Sequence, residues 1–154
     1  WSYGPECEAI FTRLIAMRYF LGRAGVAFDE RRLCCFQDNI VTLSASEFGY
    51  NAAADILQRF PDTDAIYCVN DNIALGAYKC LSERGLRIPQ DISLCGCEDM
   101  LISRYISPAI SSMGYDKAEF GRLCMNNILE QLKGNTQQER KYILYAEYRA
   151  RSSV

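Results

Sequence analysis

Residues 64–99 combine two apolar strands with a helix between them, and this combination most restricts the fold. Residues 64–69 form a continuous apolar run, typical of a strand buried on both faces of a parallel sheet. Apolar residues at helical spacing follow from Ile73 to Leu81, and Gly85 provides a left-handed helix end. Residues 92–97 form a second buried strand. The order strand, helix, strand indicates a parallel sheet in an α/β fold.

A polar doublet closes each of these two strands: Asn70-Asp71 after the first and Glu98-Asp99 after the second. Ligands of open parallel sheets bind beyond the carboxyl ends of the strands, so the doublets predict a site for a small polar molecule. We expect Asp71 and Asp99 to cap the helices that follow, leaving Asn70 and Glu98 to face the crevice. The alternative is that Asn70 and Glu98 serve only at the helix starts.

The rest of the chain continues the alternation of helices and strands. The predicted fold is therefore α/β, with an open, mostly parallel sheet and helices on both faces. Helices are predicted from Pro5 to Gly22 or Gly25, from Ser44 or Ser46 to about Phe60, around 100–105, and from Asp116 to about Leu132; further strands are predicted at 33–36, 109–113 and 142–148.

Charge and hydropathy exclude several classes of protein. The 154 residues carry a net charge of −2 with scattered Lys and Arg, so we expect no direct contact with DNA, which needs a basic face. No apolar run approaches the length of a membrane span, so no membrane partner is expected. The chain begins at Trp1 without an initiator Met, and we expect it to be part of something longer.

Histidine is absent and the eight cysteines contain no CxxC pair. We therefore expect no metal and no cofactor, and we interpret the cysteines as reduced thiols of a cytoplasmic protein. The vicinal pair Cys34-Cys35 is the candidate exception, as a reactive dithiol. Without histidine, Ser-His and Cys-His catalysis is impossible, although carboxylate chemistry at Glu98 or Asp99 stays open.

Several motifs occur in the order and spacing of one family. They are residues 46–50 (SEFGY), 69–77 (VNDNIALGA), 81–93 (LSERGLRIPQDIS), 96–99 (GCED), 107–113 (SPAISSM), 120–121 (FG) and 151–153 (RSS). Together they resemble the effector-binding core of the lactose repressor (LacI/GalR) family, over roughly residues 10–154.

The resemblance implies most of one lobe of a two-lobed, periplasmic-binding-protein-like fold. Residues 1–106 and 138–154 would form the carboxyl-side lobe. Residues 107–137 would be an excursion, one strand and one helix, into the other lobe. The rest of that lobe and the helix-turn-helix headpiece would precede Trp1.

The resemblance also implies site residues. It places effector-binding roles at Arg13, Asn70 and Glu98, where the family most often has Asp at the position of Glu98. Ser44 stands where many relatives stack an aromatic ring on a sugar, and serine cannot do so. The apolar cluster implied to lie in a homodimer interface is Met100, Leu101, Ile102 and Tyr105.

The function implied is a transcription regulator that is not an enzyme. A small metabolite, usually a sugar, would bind between the lobes and control by allostery how a dimer presents its headpieces to operator DNA. The alternatives are a periplasmic sugar-binding protein of a transporter and, less favoured, a carboxylate-dependent enzyme. The cysteine count and residues 87–93 (RIPQDIS) favour the regulator over the periplasmic protein.

Overall fold

A computed structural model describes residues 8–34, 44–135 and 142–154 of the chain. Its helices are α1 (Glu8–Arg23), α2 (Ala45–Arg59), α3 (Asp71–Glu83), α4 (Ile102–Tyr105) and α5 (Lys117–Leu132), with a 3₁₀ turn at Glu30–Arg32. Its strands are β1 (Ala65–Tyr67), β2 (Ser93–Cys97), β3 (Ser111–Gly114) and β4 (Glu147–Arg149).

The strands form one open sheet in the order β1-β2-β3-β4. The first three are parallel: Tyr67 pairs with Cys95, and Cys95 in turn pairs with Ser111. β4 runs antiparallel to β3. The mixed α/β class and the mostly parallel sheet are confirmed. Among the described residues, no helix is both long enough and apolar enough to cross a membrane.

The core lies between α3, α2 and the sheet. Leu81 of α3, Leu94 of β2 and Ile110 before β3 are fully buried. The two helices approach so closely that a Cβ added at Gly76 would lie 1.8 Å from the carbonyl oxygen of Ser46, so this crossing requires a residue without a side chain. This rigid pair supports the strand ends that carry the candidate site.

The helix predictions are confirmed for most of the chain. Ser44 caps α2 in a full capping box with Glu47, and Asp116 caps α5. Gly85, just after α3, has φ +72, as expected for a left-handed helix end.

Some strand predictions were wrong. Ala65 and Tyr67, which share one face of β1, are exposed, so β1 is not buried on both faces; it is also an edge strand of the described sheet. The predicted strand at 33–36 is not formed at Leu33 and Cys34, and its remaining residues lie outside the described ranges. The last strand is limited to Glu147–Arg149.

The predicted excursion at 107–137 contains the strand β3 and the helix α5. Its strand, β3, is hydrogen-bonded to β2 and so lies in the same sheet as the rest of this lobe. α5 has no buried residue. The division of the chain into two lobes itself stays a prediction.

The last residues of the chain are hydrogen-bonded to both β2 and β3. The amide of Leu94 donates to the carbonyl of Ser153, and the Ser153 hydroxyl accepts from the amide of Ser111, both at 2.8 Å. Ser153 is fully buried. The closing Arg-Ser-Ser motif therefore has a structural role between β2 and β3.

Candidate functional site

In the first doublet the helix cap is not the predicted residue. Asn70, not Asp71, caps α3: its Oδ1 accepts from the amide of Ile73 at 2.9 Å. The carboxamide oxygen is thus occupied, while Nδ2 retains two donors. Asn70 is half-buried at the carboxyl end of β1.

Asp71, predicted as a cap, is instead a fully buried acceptor. Its Oδ2 accepts from the amide of Met100 at 2.6 Å and from the Ser103 hydroxyl at 2.8 Å. Its Oδ1 accepts from the Ser112 hydroxyl at 2.7 Å. The reason for the correction is position: Asp71 is the first residue of α3 and lies against the sheet, whereas Asn70 precedes the helix and can reach back to its free amides. Asp71 therefore joins α3 to β3 and to the start of α4.

The second doublet forms a turn with unusual backbone geometry. Glu98 has φ 97 and Asp99 has φ 46, a region that residues with side chains rarely adopt. The Glu98 amide donates to the carbonyl of Met113 at 2.6 Å, and the Asp99 amide donates to the Ser112 hydroxyl at 3.1 Å. Such conformations persist only where the surroundings over-determine them, and they concentrate at functional sites.

Asp99 also was predicted to cap a helix, and that prediction was wrong. α4 begins after Leu101 with no side-chain cap. The Asp99 carboxylate, 8% exposed, instead accepts from Arg151 and, at 2.7 Å, from Arg104; Arg149 lies at 4.0 Å. Burial raises the pKa of the Asp99 carboxyl, but the hydrogen bonds from Arg151 and Arg104 outweigh it and hold that pKa below its ordinary value. The guanidiniums thus keep a buried carboxylate charged.

The structure brings the three predicted effector contacts to one edge of the sheet. Asn70 and Glu98 each lie three residues beyond the paired residues Tyr67 and Cys95, so they leave neighbouring strands at the same level. Arg13 of α1 reaches this edge, where its Nη1 donates to the carbonyl of Val69 at 3.3 Å. No hydrogen bond joins the three side chains to one another within the described ranges.

The four residues predicted for a dimer interface follow this turn directly. Leu101, Ile102 and Tyr105 are 64%, 42% and 77% exposed. Met100 is half-buried, and its amide is held by Asp71. Three of the four are therefore at the surface of the single chain, and their role in a dimer stays a prediction.

Two open grooves lie away from this edge. One, of about 450 Å³, lies between α5 and residues 142–144 and is lined by Tyr115, Phe120 and Tyr142 among others. The second, of about 720 Å³, lies where Asn51 of α2 approaches Arg84 at the end of α3. Neither includes Arg13, Asn70 or Glu98.

The described residues contain no cluster of Cys, Asp and Glu side chains suited to a metal ion. Among the described residues, Cys68, Cys80, Cys95, Cys97 and Cys124 are free thiols. Cys35 lies outside the described ranges, so the prediction for the vicinal pair Cys34-Cys35 stays untested. Burial raises the pKa of Cys68 to about 12, which makes that thiol unreactive.

The sequence reasoning missed the buried polar network under the site. Ser103, Ser111 and Ser112 are fully buried, and two of these serines bind Asp71. The sequence did indicate such a network, because Ser111 and Ser112 lie within an apolar predicted strand and buried hydroxyls require hydrogen-bond partners. Which partner they find could not be read from the sequence.

Comparison with known families decides the relationship. The sequence profile described as "periplasmic binding protein-like domain" matches residues 8–154. The chain belongs to this family. Its relatives by sequence and by structure are LacI-family regulators, which makes it a LacI/GalR effector-binding domain, as the motifs predicted.

Three relatives illustrate the match. The ribose operon repressor of Haemophilus influenzae is 34% identical over 108 residues, which cover 70% of this chain and 32% of the repressor. The transcriptional regulator CelR in complex with cellobiose has a TM-score of 0.82 at 27% identity, covering 99% of this chain and 45% of that one. A LacI-family regulator from Arthrobacter sp. FB24 in complex with lactose has a TM-score of 0.65 at 32% identity, covering 70% and 41%.

This LacI/GalR domain therefore spans about a third to a half of the length of these three relatives. The relatives are transcriptional regulators. The activity and partners of the whole protein to which this chain belongs are matters for proposal.

Proposed function

We propose that this chain is the sensor part of a cytoplasmic transcription regulator and that it binds a sugar at the carboxyl edge of its sheet. The observation that carries the proposal is the meeting of Arg13, Asn70 and Glu98 at that edge. A LacI/GalR domain of this kind would act on operator DNA through a helix-turn-helix headpiece outside residues 8–154. It would act as a homodimer and have no enzymatic activity.

The chemistry of the three side chains complements a sugar. The Arg13 guanidinium and the Asn70 Nδ2 supply donors, and the Glu98 carboxylate supplies charged acceptors. A pair of sugar hydroxyls can both donate and accept, so it can satisfy both kinds of group at once. The complexes of two relatives with cellobiose and lactose support a sugar as the ligand class.

Allosteric control would require the sugar to favour one arrangement of the lobes. Such coupling is typically worth about 1–3 kcal/mol. The route available in this chain runs from Glu98 through the turn to α4. The exposed Tyr105 of α4, and Leu101 just before the helix, would contact a partner subunit.

A thermal-shift screen with cellobiose, lactose, ribose and other sugars tests the proposal. At about 100 times its Kd, a bound sugar should raise Tm by about 5–10 °C. Glu98→Ala should abolish this shift, whereas Glu83→Ala, which removes a carboxylate at the far end of α3, should retain it. A full shift in Glu98→Ala would remove Glu98 from the site.

A second pair of variants separates the two roles of Asn70. Asn70→Asp keeps an oxygen to cap α3 but removes the amide donors, so stability should persist while the sugar response falls. Asn70→Ala removes both, and should also lower the stability by about 1 kcal/mol. If Asn70→Asp binds sugar as the wild-type protein does, Asn70 is a cap only.

A further inference from the structure

Asp71 is a buried acidic side chain that the proposed binding chemistry does not use. It is fully buried, and its carboxyl group accepts hydrogen bonds from three residues outside its own helix, Met100, Ser103 and Ser112. Burial of a carboxylate is costly unless it is fully hydrogen-bonded, so its position requires an explanation.

Two of the three partners of Asp71 adjoin the Glu98-Asp99 turn. Met100, whose amide donates to Oδ2, follows the turn directly. Ser112, whose hydroxyl donates to Oδ1, also accepts from the amide of Asp99. Asp71 therefore holds the residue after the turn, Met100, directly, and it holds Asp99 within the turn through Ser112.

The sheet is shaped to admit this carboxylate. A Cβ added at Gly96 would lie 2.2 Å from Asp71 Oδ1, so any larger residue there would displace the carboxylate. Gly96 lies on β2, two residues before Glu98 in the turn that follows the strand. The buried position of the Asp71 carboxyl group therefore requires glycine at position 96.

We propose that Asp71 is a positioning residue that holds the Glu98-Asp99 turn in its left-handed conformation and thereby places Glu98 at the sheet edge. The turn needs such support because two successive residues with positive φ are unfavourable in isolation. The same carboxylate binds Ser103 of α4, so the turn and the first residues of α4 move together. The role of Glu98 as a sugar contact is taken from the proposed function, while the effect on the turn is independent of it.

The first test is amide hydrogen exchange, which needs no ligand. In Asp71→Ala, the amides of Asp99 and Met100 should exchange at least about 10-fold faster, relative to the core amide of Leu94, than in the wild-type protein. Leu81→Ala, a core variant at the distant end of α3, should accelerate all three amides equally. Equal acceleration in Asp71→Ala as well would overturn the proposal.

The second test measures affinity for whichever of cellobiose, lactose and ribose the wild-type protein binds. Asp71→Ala and Gly96→Ala should each weaken binding by about 10-fold or more, below the melting temperature of every variant. Leu81→Ala should stay within about 3-fold of wild type. Asp71→Asn should also stay within about 3-fold, because its oxygen can accept from Met100 while its amide donates to Ser112.

The two tests fail separately. If the wild-type protein binds none of these sugars, the proposed function loses its support, and the exchange of Asp99 and Met100 still decides the role of Asp71. If sugar binds but Asp71→Ala binds as tightly as wild type, Asp71 has a structural role alone and the positioning proposal is wrong.

Discussion

The ion pair between Arg151 and Asp99 should be the most important electrostatic contact of this domain. Arg151→Ala removes the guanidinium that donates both to the Asp99 carboxylate and, at 2.6 Å, to the carbonyl of Ile110. The two side chains are 15% and 8% exposed, so water and salt screen this pair little.

The expected loss follows from what Asp99 retains. Removing one partner of a buried pair costs about 3–5 kcal/mol when the other charge is left alone. Asp99 keeps Arg104 at 2.7 Å, so we expect about 2–3 kcal/mol for Arg151→Ala. Arg104 is 52% exposed and should contribute about 0.5–1 kcal/mol. Arg149, at 4.0 Å and 43% exposed, should contribute less than about 0.5 kcal/mol.

Urea unfolding followed by circular dichroism measures this series. The free energy of unfolding should fall in the order Arg151→Ala, then Arg104→Ala, then Arg149→Ala, with the same m-value for all three. Equal losses for Arg151→Ala and Arg149→Ala would refute the reasoning, because the argument rests on burial and distance.

The pH dependence gives an independent check. Because the pKa of Asp99 in the folded protein lies below its ordinary value of about 3.9, the charged carboxylate stabilises the fold. This stabilisation is fully present above that ordinary value and is lost as the pH falls through the lower folded pKa. Between pH 5 and pH 2 the free energy of unfolding of Arg151→Ala should therefore fall by less than that of the wild-type protein. Urea unfolding repeated at intervals of ~1 pH unit measures both.

Three further predictions follow from the surface and the turn. Glu98→Gly relieves a positive φ, so it should leave stability unchanged or raise it by about 1 kcal/mol while removing the sugar response; a loss above about 1 kcal/mol by urea unfolding would contradict this. The chain, with net charge −2, should show no salt-sensitive binding to duplex DNA in fluorescence anisotropy, and micromolar binding that weakens with salt would contradict this. Light scattering after size exclusion should show a dimer or larger, since α5 exposes Met125 and Leu129 and α4 exposes Tyr105. Tyr105→Glu and Leu129→Glu identify the contributing surface, and a wild-type monomer would contradict the prediction.

The order of helices and strands could be predicted because it depends on local patterns. Apolar spacing located α3, and Ser44 and Asp116 marked the starts of α2 and α5. The burial of β1 could not be predicted, because it depends on which strands and helices adjoin it in space. A continuous apolar run is the same in an edge strand and in a central one.

The sequence predicted which residues lie at the carboxyl edge of the sheet but not their hydrogen-bond partners. The doublets did locate the sheet edge, since both follow parallel strands. The buried role of Asp71 depends on the first turn of α3 lying against Ser112 and Met100, which are distant in sequence. The partners of Asp99 are Arg104 and Arg151, and only the folded chain brings them together.

The most direct test of the central claim is a titration of the labelled protein with a sugar from the screen, followed by NMR. Sugar binding at the proposed site should shift the amide signals of residues 69–71 and 97–100, together with the Arg13 side chain. Signals at the two grooves, near Phe120 and near Arg84, should remain unchanged. Shifts confined to either groove, with Asn70 and Glu98 unaffected, would contradict the account.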